Sequence, residues 1–181
     1  VSAERLYDSK KHLNQNTHII RHGTDWKHFR KAVDGSLSTP SDIADLPRPI
    51  IGFHGLLADW VDYALIKKVA EHFNNGSVVL IGKVAVDAKE KIKILDGLTN
   101  VHLLGRKPYA DLPAYCKTFD VALNPFEINE LTLAANPLKV REYLAAGLPV
   151  VSTDIPEVRV LDDCLVGVDH RDFIAKIENA L

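Results

Sequence analysis

The sequence contains no methionine and begins with Val1, so it is not expected to be an intact primary translation product; a piece of a longer protein is the favoured reading. It has only two cysteines, Cys116 and Cys164, far apart and at no metal-ligand spacing. Each is expected to fill core space in a reducing compartment rather than to join a disulfide. Positive charge is not in excess: 22 Lys and Arg stand against 24 Asp and Glu, which removes the basic footprint that nucleic acids and anionic membranes require. No apolar run reaches the ~18 residues of a membrane span, and no signal-peptide pattern opens the chain, so the expected location is cytoplasmic. The eight histidines are scattered without H-x-x-H or H-E-x-x-H spacing, so no metal site is expected. No G-x-S-x-G elbow is present, which argues against hydrolase chemistry.

What is present is the composition of an ordinary soluble domain, 46% hydrophobic and 25% charged, in a chain long enough to bury a core without staples. Residues 1–16 are polar with scattered apolar positions and suggest a short helix; Thr17–Ile20 suggests a brief strand. The polar tract Gly35–Ser41, closed by Pro47 and Pro49, reads as a linker, which divides the chain into an interdomain segment, 1–48, and a domain, 49–181. From Ile50 onward, short apolar runs recur at Ile50–His54, Ser77–Ile81, Val101–Leu104, Asp120–Asn124, Pro149–Thr153 and Leu165–Val168. Each has the length and β-branched content of a buried strand. Helical patterns alternate with them at Asp59–Phe73, Asp87–Leu95, Tyr109–Thr118, Pro137–Ala146 and Arg171–Leu181. Strands alternating with helices predict an α/β fold with a doubly wound, Rossmann-like parallel sheet. Such a sheet holds its ligand outside the carboxyl ends of its strands, at the point where the strand order reverses.

The segments that follow the strands are therefore where chemistry is sought. After the first comes Gly52-Phe53-His54-Gly55-Leu56-Leu57, whose glycines either admit a phosphate close to the backbone or make a tight turn. After the third comes Gly105-Arg106-Lys107-Pro108-Tyr109. The fourth is followed by a long connection, Asn124–Asn136, ending at Asn136-Pro137, which signals an N-cap and a first helical residue. Lys139 then falls in the first helical turn, where the helix field disfavours a cation unless an anion is bound beside it. Glu142 and Tyr143 follow on the same face. The alternative is a surface Lys–Glu pair worth ~0.3–0.5 kcal/mol and without function.

In this order the segments resemble the C-terminal half of a GT-B glycosyltransferase of the retaining type known as glycosyltransferase family 4 or group 1. His18-Ile19-Ile20-Arg21-His22-Gly23-Thr24-Asp25…Phe29 resembles "v-i-p-N-G-v-D…F", and Asn100–Gly105 resembles "n-V-x-f-l-G". Phe119–Phe126 resembles "a-D-v-f-v-l-P-s". The most specific block, Pro137–Val151, resembles "K-x-x-E-y-l-A-a-G-x-P-V-V". The resemblance covers residues 17 to 168 and implies a domain that holds the donor, a nucleoside-diphosphate sugar, for hexosyl transfer to a glycan or lipid-linked acceptor in polysaccharide biosynthesis. It implies that Glu142 takes the ribose hydroxyls and that Lys139, with the main chain near Leu138, Asn136 and Gly55, cradles the diphosphate. Arg106 and Lys107 would lie where the base is held. No metal or other cofactor is implied. The acceptor would be bound by an N-terminal half upstream of Val1, without which the chain is expected to be inactive; association of the parent with a membrane stays open.

Three departures accompany the resemblance. The first of the family's two glutamates would fall at Ala134, leaving Glu130 as a substitute for contact with the donor sugar. The family's Arg and Lys after the first-strand glycine are replaced by Leu56 and the Ala58-Asp59-Trp60 stretch, so Lys139 would be the principal, catalytic charge on the leaving diphosphate. The third is the absent N-terminal half itself. Two other readings follow: a non-catalytic module of the same fold, favoured by Ala134 and Leu56, and a nucleotide-sugar 2-epimerase, which calls for more histidine and carboxylate candidates in the cleft.

Overall fold

The computed structural model describes residues 1–181. The apolar runs form six strands: β1 (Ile50–His54), β2 (Ser77–Ile81), β3 (Val101–Gly105), β4 (Val121–Asn124), β5 (Val150–Thr153) and β6 (Cys164–Gly167). All pairings are parallel, in the order β3-β2-β1-β4-β5-β6. This is the doubly wound order, and it reverses between β1 and β4. Every residue of β1, β2, β4 and β5 is buried, while β3 and β6 on the two edges are partly open, which is why the inner four read as largely apolar runs with polar residues only at their ends.

Helices cover the sheet. α1 (Glu4–Lys10) and α2 (Trp26–Arg30) precede it; α3 (Tyr63–His72) follows β1, and α4 (Leu112–Cys116) follows β3. A single turn, α5 (Glu130–Leu133), and then α6 (Leu138–Ala145) link β4 to β5; α7 (Pro156–Arg159) and α8 (His170–Ala180) flank β6. Local chemistry starts several of them. Asp62 accepts from the Leu65 N–H at 2.7 Å and Asp169 from the Asp172 N–H at 2.8 Å, each satisfying an N–H that the helix leaves open. The buried stripe of α3 (Tyr63, Leu65, Ile66, Val69, Ala70) has the spacing of one helix face. No helix is long and apolar enough to cross a membrane.

Several local expectations are corrected. Thr17–Ile20 is not a strand: it folds back on the terminus, the Val1 ammonium donating to the His18 carbonyl at 2.9 Å and the Ile20 N–H to the Val1 carbonyl at 2.8 Å. Asp87–Leu95 is not an α-helix but two 3-10 turns, Val86–Ala88 and Lys91–Leu95; its buried Ile92 and Leu95 are three apart, the spacing a 3-10 turn puts on one side. The Gly35–Pro49 tract lies against the domain, with Ile43 buried, the Tyr115 hydroxyl donating to Asp42 at 2.9 Å and Lys117 donating to the Leu37 carbonyl at 2.6 Å. Phe29, Ala32 and Ile43, all from the first 48 residues, belong to the same core cluster of 38 buried residues as the sheet. Cys116 and Cys164 are free and buried.

Candidate functional site

The reversal point between β1 and β4 is occupied by the start of α6. Tyr143, fully buried on that helix, sets its position. The His54 N–H at the end of β1 donates to the Tyr143 hydroxyl at 2.7 Å, and the hydroxyl donates to the His54 carbonyl at 3.3 Å. Tyr143→Phe keeps the ring and removes both bonds, leaving a buried N–H without a partner. It is expected to cost about 1–3 kcal/mol in urea unfolding; an unchanged midpoint would show that the tie carries no energy.

The first turn of α6 departs from expectation. Pro137 stands at the N-cap position in extended conformation (φ −73°, ψ 107°), so the helix begins at Leu138 and Lys139 is its second residue. Asn136 is not the cap. Its side-chain amide donates to the Ser2 carbonyl at 2.6 Å, and its main-chain carbonyl accepts from the His22 imidazole at 3.0 Å, so it anchors the N-terminal segment instead. With no side chain capping the helix, the Leu138 and Lys139 N–H groups have no protein partner. Open N–H groups at a helix start attract negative charge, and a lysine in that turn reinforces them.

Lys139 and Glu142 are not a surface pair. The Lys139 ammonium is half-buried, 4.6 Å from the Phe126 ring centre and 5.4 Å from that of Phe53, and forms no ion pair. Burial pushes it down to about 8, against the pull of Glu142. Glu142 is 8% exposed; burial holds its carboxyl above the usual carboxylate range, while the charges of Lys139 and His28 act the other way. The one basic group within 4 Å of its carboxylate is the His54 imidazole, 3.8 Å away and beyond hydrogen-bond distance. Neither carboxylate oxygen has a hydrogen-bond donor in the protein, yet both keep access to solvent, so a ligand that brings hydroxyl or N–H groups can reach them.

Two hollows flank this turn. One, of about 300 Å³, is lined by His54, Gly55, Leu56, Gly82, Lys83 and Arg106, with Ile81, Lys107 and Leu112 behind. The other, also about 300 Å³, is lined by Trp60, Phe126, Leu131, Thr132, Ala135 and Lys139. Gly55 stands between them: a Cβ there would lie 2.7 Å from Lys139 Cε, so only glycine lets the lysine lie across the end of β1. Hydrogen bonds from Asp62 N–H to the Pro125 carbonyl and from Glu127 N–H to the Trp60 carbonyl, both 2.8 Å, join the segments after β1 and β4 that carry Trp60 and Phe126 of the second hollow.

The other expected residues divide. Gly55, Leu138, Lys139 and Glu142 gather around the first turn of α6, and Arg106 is an exposed cation on the first hollow. Lys107 lines the same hollow, but its ammonium is engaged with Asp42 at 2.5 Å and lies over the Tyr115 ring. The structure does not bring Glu130 to either hollow. Its side chain is 86% exposed and ion-paired with Arg5 of α1, because the capping box between Asn129 and Thr132 turns this position outward. The sequence reading passed over His54, His28 and Lys83. His54 is buried, and burial together with the Lys139 charge pushes it down to about 3. Its Nε2 has no partner. His28 stacks on Tyr109, ring centres 4.6 Å apart. The positions of His54 and Lys83 at the carboxyl ends of β1 and β2 were the available signals for them; nothing local marked His28.

A Bacillus subtilis protein named for a role in teichuronic acid biosynthesis, the glycosyltransferase TuaH, is 26% identical over 92% of this chain and 43% of its own length. Among solved structures, an α,α-trehalose-phosphate synthase (UDP-forming) of Burkholderia xenovorans superposes with a TM-score of 0.69 at 19% identity, over 91% of this chain and 43% of that one. Sucrose-phosphate synthase of Thermosynechococcus elongatus does so with a TM-score of 0.68 at 16% identity, over 99% and 47%. The chain thus spans less than half the length of each of these proteins. Residues 48–181 match the family described as glycosyl transferases group 1, and with that match over most of its length the chain belongs to this family.

Proposed function

We propose that the chain is the donor-binding domain of a glycosyltransferase that moves a hexosyl group from a nucleoside-diphosphate sugar to a glycan or lipid-linked acceptor, and that by itself it does not complete the transfer. The observation that carries this reading is the pairing of an uncapped helix start bearing Lys139 with a buried, donorless Glu142 one turn along. In this reading the N–H groups of Leu138 and Lys139 take the diphosphate, Glu142 accepts from the ribose hydroxyls, and the base enters the hollow beside Arg106. As the bond from sugar to phosphate breaks, negative charge grows on the departing phosphate, where an ammonium and a helix N-terminus already face it. These charges do the work of a metal ion, so binding is independent of metal. The UDP-forming activity in the name of the Burkholderia protein supports a nucleotide donor, and the teichuronic acid role in the name of the Bacillus protein supports a polysaccharide product. Retention at the anomeric carbon belongs to the same proposal through the sequence resemblance, and a cytoplasmic location through the free cysteines.

Calorimetric titration of the chain with UDP, GDP and ADP and their nucleosides, in EDTA, tests the proposal. Glu142→Ala is expected to weaken both diphosphate and nucleoside by about 1.5–3 kcal/mol, and Glu142→Gln less, since an amide oxygen still accepts. If Glu142→Ala binds like the parent, or the parent binds nothing, the site is wrong. Sugar transfer by this chain at an enzyme-like rate would refute the second half.

A further inference from the structure

The first hollow has a cation that the proposed donor site leaves unused. Lys83 follows β2 directly, is exposed, lines the hollow with His54, Gly55 and Leu56, and makes no hydrogen bond or ion pair through its side chain. No carboxylate lines that hollow. Of its three cations, Lys107 is held by Asp42, which leaves Lys83 and Arg106 free.

Their order across the sheet separates the two. The turn after β1 is joined to the turn after β2: the Gly55 N–H donates to the Ile81 carbonyl at 2.8 Å, the Leu57 N–H to the Lys83 carbonyl at 3.0 Å, and Leu57 and Val84 form a parallel bridge. Arg106 lies one strand further out, its turn meeting that of β2 through the Gly82 N–H and the Gly105 carbonyl at 2.9 Å. Lys139 borders the same β1 turn from the opposite side, against Gly55. The residues Gly55-Leu56-Leu57 therefore run between two lysines, and the Leu56 N–H in their middle has no partner. A single half-buried lysine faces a ligand group with two to three negative charges, and a second cation across the turn matches that charge.

We infer that Lys83 is the second cation of the diphosphate site, clamping the diphosphate across the Gly55–Leu57 turn against Lys139. This inference rests on the nucleotide-binding reading above. Its test uses whichever of UDP, GDP and ADP the parent binds most tightly, with the matching nucleoside, at one fixed ionic strength. Lys83→Ala and Lys83→Gln are expected to weaken the diphosphate about tenfold and leave the nucleoside within about twofold, the size of one charge-assisted bond. Lys89→Ala, an exposed lysine outside the hollow, should change neither. Leu56 is exposed on the same hollow, so Leu56→Arg placed on the Lys83→Ala background puts a guanidinium into the same space and should recover most of the loss. Unchanged diphosphate affinity in both Lys83 variants, an equal loss for the nucleoside, or an equal loss in Lys89→Ala overturns the assignment while the nucleotide site stands. A parent chain that binds none of the three diphosphates overturns both.

Discussion

Lys139→Met is expected to raise the stability of this chain and remove its grip on nucleoside diphosphate. The ammonium lies half-buried over Phe126 and Phe53 with no ion pair, and burial lowers it from 10.5 to about 8. That displacement corresponds to a ceiling of ~3 kcal/mol; allowing for the exposed part and for the cation–π contacts that methionine gives up, a net gain of about 1 kcal/mol is expected. The sign follows from proton binding. Because the folded value lies below the unfolded one, the unfolded chain holds more protons between pH 8 and 10.5, so the parent gains stability as pH rises through that window, and the methionine variant lacks that component. Loss of the charge should weaken a diphosphate by about 1.5–3 kcal/mol and the nucleoside hardly at all. Thermal melts at pH 7 and pH 10, paired with calorimetry, decide the matter; a lower melting temperature at pH 7 together with unchanged affinity would mean that Lys139 serves the fold. Groups that cost stability in the free protein are characteristic of sites kept for binding.

Gly82→Ala is expected to cause the largest loss of stability. A Cβ at Gly82 (φ +157°) would overlap the Gly55 carbonyl, and backbone cannot move aside as a flexible side chain does. Relief requires the turns after β1 and β2 to part, at the expense of the Gly55–Ile81 and Leu57–Lys83 hydrogen bonds. Overpacking at ~1–3 kcal/mol and the loss of two such bonds at ~1 kcal/mol each give an expected cost of about 3–5 kcal/mol. Gly97→Ala is the control: its φ of +84° is also unfavourable for alanine, but nothing lies within 4 Å, so only backbone strain of ~1 kcal/mol is at stake. Gly55→Ala should behave differently, because its new Cβ meets the movable end of Lys139 at 2.7 Å; it is expected to lose less stability and more diphosphate affinity. Urea unfolding of the three variants should rank Gly82→Ala as the most damaging, and equal midpoints for Gly82→Ala and Gly97→Ala would show that the close approach is not maintained in solution.

The sheet was legible because parallel strands buried on both faces are mostly apolar, with polar residues such as His54 and Ser77 confined to their ends; the runs at Ile50–His54 and Ser77–Ile81 coincide with β1 and β2 to the residue. Short segments were less legible. A helix pattern over Asp87–Leu95 cannot be told from two 3-10 turns when only Ala88, Ile92 and Leu95 are buried, and Thr17–Ile20 would be a strand only if it lay along the sheet instead of bonding to Val1. In the site, the K-x-x-E spacing placed Lys139 and Glu142 on one helical face without reference to any other part of the chain.

Sequence alone therefore determined the α/β class, the strand runs, the helix that carries Lys139 and Glu142, and the family resemblance, since each depends on local periodicity and spacing. Only the tertiary structure decided which of those groups are charged, buried or already engaged. Asn136 turns to Ser2 and leaves α6 uncapped, Glu130 is drawn to Arg5, and Lys107 is held by Asp42. His54 and Lys83 reach the site because β1 and β2 end side by side. Each of these outcomes joins residues separated by tens of positions or more, and electrostatic pairing and burial depend on distance in space, which the order of residues does not contain.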